Sequence, residues 1–270
     1  MNAKTALAFT LGAVLALLAG AGGPLASSPQ KEGYGSRAAA LPDYAALLAA
    51  SDRSDADKAR DAARKPAEVL AKVKAAPGMV VIDLGSGGGY YAGNFARAVA
   101  PEPVHAVNDP LAVEQFPQIL DSMAARLATP STANIRHDVM DLTALPASWQ
   151  ADVAFLGEYY HDIAADHFHS GLKTAAVNAA VFNALKPGGL YVIEDHIAKA
   201  DANAAEVGET LHRVPPQTIR DEVLAAGFEL VEENFDLFAN PDDPLTILVF
   251  DPSIRGKTAR VLYIFRKPAN

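Results

Sequence analysis

Met79-Val-Val-Ile-Asp-Leu84-Gly85-Ser-Gly87-Gly88-Gly89-Tyr90-Tyr91 is the stretch that decides the fold. An apolar run ends in a cluster of glycines, and a helix-forming stretch, Ala92 to Val99, follows at once. This succession reads as strand, tight turn and helix. Glycines let the backbone turn sharply and approach a ligand, while free amides at a helix start favour an anionic or polar group. The kind of ligand can be narrowed further. A dinucleotide fold wants a third glycine where bulky Tyr90 stands, and a phosphate-binding loop wants Lys-Ser or Lys-Thr after its glycines, which is absent here.

Working outward, further short apolar runs occur at Val104-His-Ala-Val107, Asn134-Ile-Arg, Asp152-Val-Ala-Phe-Leu156 and Leu190-Tyr-Val-Ile193, each separated by helical stretches. Strands apolar on both faces that alternate with helices predict a doubly wound, mostly parallel α/β sheet covered on both sides. The tail predicts a helix over Ile219 to Ala226, ended by Gly227, then a strand Phe228 to Asn234 and a last strand Val261 to Phe265. Ahead of the glycine loop, Leu41 to Lys74 is helical by pattern. Asp57, Arg60, Asp61 and Arg64 are spaced three and four apart there, as on a solvated salt-bridged face, with Arg64 reaching toward an anionic group as the alternative.

The first residues are a short polar start with Lys4, an apolar run Thr5 to Leu18, then small residues and Pro24. These are the three parts of a secretory signal peptide, expected over residues 1–26, and a periplasmic or secreted location follows from it. The apolar run is shorter than the roughly 20 residues of a permanent span, so no stable membrane span is expected after cleavage. A linker rich in Gly, Ser, Pro and Ala over 27–41 then leads to a domain over 42–270.

Composition narrows the function classes. Half of the 270 residues are hydrophobic, enough for a sizeable core, and the formal charge of -9 would meet a phosphate backbone with repulsion, so no nucleic-acid partner is expected. There is no cysteine, hence no disulfide framework, thiolate metal site or cysteine nucleophile. No G-x-S-x-G stretch supports a serine nucleophile elbow.

Two more places mark a binding edge. The second strand ends in Val107-Asn108-Asp109-Pro110, about twenty residues after the loop, where a carboxylate or amide can hold ribose hydroxyls. The third is followed by His137-Asp138-Val139-Met140-Asp141. With Asp83 to Gly89, Asn108/Asp109 and Asp138 in this order, the chain resembles the class I S-adenosylmethionine-dependent methyltransferases. Leu185-Lys-Pro-Gly-Gly-Leu190 and Ala225-Ala-Gly-Phe-Glu-Leu230 resemble the same family's later steps. The resemblance is greatest to exported bacterial proteins predicted to be methyltransferases, through Gly88-Gly-Tyr-Tyr91, Tyr160-His-Asp162, Asn240-Pro-Asp-Asp-Pro and Arg255-Gly-Lys.

The resemblance implies a seven-stranded sheet with its last strand antiparallel and S-adenosylmethionine as cofactor; the helical pattern ahead of the glycine loop adds an N-terminal helical extension. The glycine loop (Asp83, Gly85, Ser86, Gly87, Gly89) would hold the methionine portion, Asn108 or Asp109 the ribose, and Asp138 the adenine amine. Val139 and Glu158 are counted with these cofactor contacts.

Ligands in open α/β sheets lie beyond the carboxyl ends of the strands, which directs attention to Glu158-Tyr-Tyr-His-Asp162 and Glu194-Asp-His196. Methyl transfer needs alignment above all, plus a base where the acceptor loses a proton. The expected catalytic set is His161 as base, Asp195 or Asp162 orienting it, and Tyr160 shaping the pocket of a small-molecule acceptor. His196 and then His212 are the next candidates. His161, Asp162, Asp166, His167 and His169 are dense enough to hold a divalent metal, but their spacing does not impose that geometry and no metal is expected. A nucleoside-binding or sensing protein without catalysis is the competing function.

Overall fold

The computed structural model describes residues 41–168 and 171–269. The expected signal peptide and the linker up to residue 40 lie outside the described residues, as does His169 of the histidine-rich stretch. No helix among the described residues is long and apolar enough to cross a membrane.

One mixed sheet forms the centre. Its strands are β1 (Val81–Leu84), β2 (Val104–Asn108), β3 (Ile135–Val139), β4 (Ala151–Gly157), β5 (Leu185–His196), β6 (Glu229–Asn234) and β7 (Arg260–Arg266), in spatial order β3-β2-β1-β4-β5-β7-β6. The first five strands pair in parallel, and β7 runs antiparallel to both β5 and β6. The order reverses between β1 and β4, so their carboxyl ends open a crevice at the switch point.

All four residues of β1 are buried because helices cover both faces. One apolar layer joins Val69, Leu70, Phe95, Met123 and Phe155; the opposite layer joins Ile82, Leu156, Val181, Ile219 and Tyr263. The helices are α1 (Tyr44–Leu48), α2 (Asp55–Arg64), α3 (Pro66–Lys72), α4 (Tyr90–Val99), α5 (Pro110–Gln115), α6 (Gln118–Leu127), α7 (Tyr160–Ala165), α8 (Thr174–Ala184), α9 (Ala204–Leu211) and α10 (Pro216–Ala225). Gly227 follows α10 at φ 96°, the left-handed stop expected of it.

The helical stretch expected over Leu41 to Lys74 is broken into three pieces. Ser54 caps α2 by accepting from the Asp57 amide, Lys65 turns left-handed at φ 44°, and Pro66 opens α3. The charged face of α2 is also not a solvated one. Asp61 takes Arg53 at 2.6 Å and the Tyr90 hydroxyl at 2.6 Å, Asp57 takes Arg126 at 2.8 Å, and the Tyr91 hydroxyl donates to the Arg64 carbonyl at 2.6 Å. Tyr90, which excludes a dinucleotide motif, and Tyr91 beside it thus fasten α2 across the glycine loop.

Candidate functional site

The glycine loop is built for close approach. Gly85, Gly87 and Gly89 have φ of 59°, 53° and 76°, conformations costing a residue with a side chain about 1–2 kcal/mol. A side chain at Gly87 would meet open space, whereas one at Gly85 would strike the Tyr159 ring at 2.4 Å. Tyr159 therefore lies over the start of the loop and stacks on Phe168, with ring centroids 5.9 Å apart. Asp83 sits beneath, accepting from the Ser86 hydroxyl at 2.6 Å, and burial pushes its carboxyl up to about 6.

The neighbouring strand tips spend their polar groups within the protein. Asn108 accepts from the Gly87 amide at 2.7 Å, while its side-chain nitrogen faces the Gly87 carbonyl at 3.2 Å and His137 at 3.1 Å. Asp109 caps α5 through one carboxylate oxygen that accepts from Leu111 and Ala112, and burial raises its pKa. Asp138 is different, being half-buried on β3, with one carboxylate oxygen 3.7 Å from His105. Val139 beside it is exposed.

Across the switch point, Glu158 directly follows β4 at φ 52°, an unusual backbone for a glutamate. Its carboxylate pairs with Arg64 of α2 and, at 2.5 Å, with Arg260 of β7, which also reaches Glu194 at 2.7 Å. Burial opposes the charge on Glu158, but Arg64, with His196 and Arg260, holds it down to about 2. On Glu194 burial wins over Arg260 and raises it to about 7. One oxygen of Glu194 and the Nε of Arg260 are buried without a hydrogen-bond partner. Arg60, stacked on Tyr90 at 4.6 Å, is shifted down by burial and by Arg64 beside it.

Asp195, wholly buried at the end of β5, organises the next group. Its carboxylate accepts the His161 backbone amide at 2.9 Å and lies 2.7 Å from His161 Nδ1. The far ring nitrogen, Nε2, faces His212 Nδ1 at 3.2 Å and Asp162 Oδ1 at 3.3 Å. Burial disfavours charge on this imidazole, but Asp195 and Asp162 overcome it and push its pKa up to about 10. His196 lies behind, its Nδ1 2.8 Å from the Thr258 hydroxyl, and burial lowers its pKa.

Three cavities join these groups. One of about 160 Å³ lies under Arg60 and Arg64 against Gly85 to Gly88. One of about 370 Å³ is walled by Arg60, Arg64, Arg255 and Arg260, and one of about 220 Å³ contains His161, Asp162 and His212. Glu158 lines all three.

Of the expected catalytic residues, the structure brings His161 and Asp195 together with Asp162 and His212. Tyr160 is a correction. Its hydroxyl donates to Glu222 at 2.7 Å and receives Asn178 at 3.0 Å, so it is a core residue between α8 and α10, and none of the three cavities is lined by it. Sequence reasoning missed Arg60, Arg255 and Arg260. A like-charged pair four apart on one helix, Arg60 and Arg64, is unfavourable without an anion nearby and was the available signal. A second signal was Gly208 inside α9, where a side chain would strike the His161 carbonyl at 2.6 Å. That glycine lets α9 approach α7 and carries His212 to His161.

No protein-family model matches the chain, and no curated protein matches it in sequence. Solved structures match in fold. A methyltransferase dependent on S-adenosylmethionine from Aquifex aeolicus is 14% identical with a TM-score of 0.54, over 83% of this chain and 98% of that one. Another from Mesorhizobium loti is 18% identical with a TM-score of 0.51, over 74% and 96%. The cyclase SpnF is 17% identical with a TM-score of 0.55, over 77% and 82%. At these identities the likeness is one of fold: a seven-stranded α/β sheet of the class I methyltransferase type.

Proposed function

We propose that the chain is an exported S-adenosylmethionine-dependent methyltransferase acting on a small molecule. The observation that carries this is that the glycine-loop cavity and the His161 cavity share Glu158 as a wall. A donor place and an acceptor place on one sheet edge meet at a buried carboxylate.

The residues fit the cofactor best at its amino-acid end. Arg60 and Arg64 stand over the glycine loop for a carboxylate, and Glu158 offers the charge an ammonium needs. Asp138, half-buried on β3, is open to the adenine amine. For the ribose, Asn108 is already engaged, and one oxygen of Asp109 is spent on α5. Bound there, the cofactor would supply an electrophilic methyl group. The protein's part is alignment and handling of the acceptor's proton. Asp195 fixes the His161 ring through Nδ1, leaving Nε2 as the atom at which a proton is passed. Arg255 makes no ion pair among the described residues, which favours an acceptor bearing a carboxylate or phosphate.

The close pairing of His161 with Asp195 and Asp162, which keeps its ring charged and so a poor base, favours the second function, a binding protein that does not transfer methyl groups. Calorimetry of the full chain against S-adenosylmethionine and its demethylated product separates the two. Methyl transfer predicts binding of both, weakened at least about tenfold in Asp138→Ala and in Arg64→Ala, and unchanged in Asp195→Asn. Binding without turnover of any carboxylate- or phosphate-bearing acceptor supports the second function, and no heat with either ligand overturns both.

A further inference from the structure

We infer that His161, Asp162 and His212 form a binding site for a divalent first-row metal of the zinc class. The three facing atoms are His161 Nε2, His212 Nδ1 and Asp162 Oδ1. They are separated by 3.2 Å between the histidines, 3.3 Å from His161 to Asp162 and 3.1 Å from His212 to Asp162. This is a nearly equilateral triangle. Ligands about 2.0–2.1 Å from a tetrahedral zinc lie about 3.3–3.4 Å apart, and closer in higher coordination, so a single ion reaches all three atoms with little movement.

The surroundings are those of such a site. His161 presents Nε2 because its Nδ1 is held by the buried carboxylate of Asp195, the carboxylate–histidine arrangement that fixes a ligand's tautomer and ring plane. The donor set, two imidazole nitrogens and one carboxylate oxygen, is of the kind a zinc-class ion takes. Finally, the triangle lines a cavity of about 220 Å³ shared with Glu158, Phe116, Phe168 and Phe250, which leaves a coordination position open. Three protein ligands with an open fourth position are the pattern of a catalytic zinc site.

The site is argued from its donors alone. Its role rests on the proposed methyl transfer: an acceptor hydroxyl or thiol would bind in the open position and lose its proton to solvent more readily there, and His161 Nε2 would then hold the metal instead of passing the proton.

The test is a zinc titration of the full chain, stripped with chelator and without cofactor, so that its outcome is separate from S-adenosylmethionine binding. One saturable ion per chain is expected, and cobalt in its place should give the visible band of a low-coordinate site. His212→Gly, chosen because glycine suits the left-handed backbone at φ 52°, and Asp162→Asn should each weaken zinc about 100-fold or more. Asp195→Asn should weaken it about 10–100-fold, and His105→Gln, on β2 with its ring stacked on Trp149, should leave it unchanged. Circular dichroism reports folding of each variant, and His212→Gly decides if Asp162→Asn does not fold. No saturable site in the wild type, or full affinity retained in His212→Gly, overturns the assignment.

Discussion

The tips of β2 and β4 lie on one sheet edge, yet they use their polar residues in opposite ways. At β2, Asn108 and Asp109 are turned inward, one bracing the glycine loop and the other capping α5. At β4 and β5, Glu158, His161 and Asp162 are also largely buried but line cavities. Burial alone therefore does not separate structural from functional polar groups. The difference lies in where the paired groups stand: those at β2 are spent on the backbone of the loop and of α5, whereas those at β4 and β5, though paired with one another and with Arg64 and Arg260, border space that a ligand can enter.

The comparison can be broken in four ways. The largest effect is expected where the open half is held open. Arg213 and Asp243 form a wholly buried two-pronged pair at 3.0 Å, and Arg213 also donates to the carbonyls of Ile197 and Ile247. This pair ties the segment that supplies Val249, Phe250 and Arg255 to the cavities. Asp243→Ala strands the guanidinium and should cost about 3–5 kcal/mol in urea unfolding, far more than loss of any cavity-lining residue.

Next comes a pH effect in the glycine-loop half. The folded pKa of Asp83, about 6, lies above its unfolded value, so the folded state holds its proton more tightly. Its contribution is fully present below about pH 4 and is lost as pH rises to about 6. Asp83→Asn should therefore gain stability relative to wild type across that window, by up to about 3 kcal/mol; a flat difference between the two unfolding curves would contradict it.

Third, Gly85→Ala meets both the left-handed backbone and the Tyr159 ring, and should cost about 2–3 kcal/mol. Gly87→Ala meets only the backbone and should cost about 1–2 kcal/mol, so equal melting shifts would show that Tyr159 does not rest on the loop. The smallest effect is expected at His212. His212→Gly should change urea stability by no more than about 1 kcal/mol, since the residue faces a cavity. A large loss there would make the histidine group structural and erase the contrast between the two halves.

Much of the scaffold was legible in the chain. The apolar runs became β1 to β5, the glycine cluster became the β1 turn, and Gly227 ended α10. His161 and Asp195 were identifiable because both follow strands on the ligand-bearing edge. The environment of Glu158 was not, since its partners come from α2 and from β7, about a hundred residues away on either side. Tyr160 was misplaced because sequence position at a strand end says nothing about which way a helix's first side chain turns. The engaged state of Asn108 escaped for the same reason.

The sequence by itself determined the order of strands and helices and the turn at β1, because side-chain periodicity and positive φ are properties of neighbouring residues. Only the tertiary structure decided which polar groups meet. His161 and His212 are 51 residues apart, and their 3.2 Å approach depends on Gly208 allowing one helix to settle against another. Such a distance is fixed by packing between elements, to which no local spacing gives access.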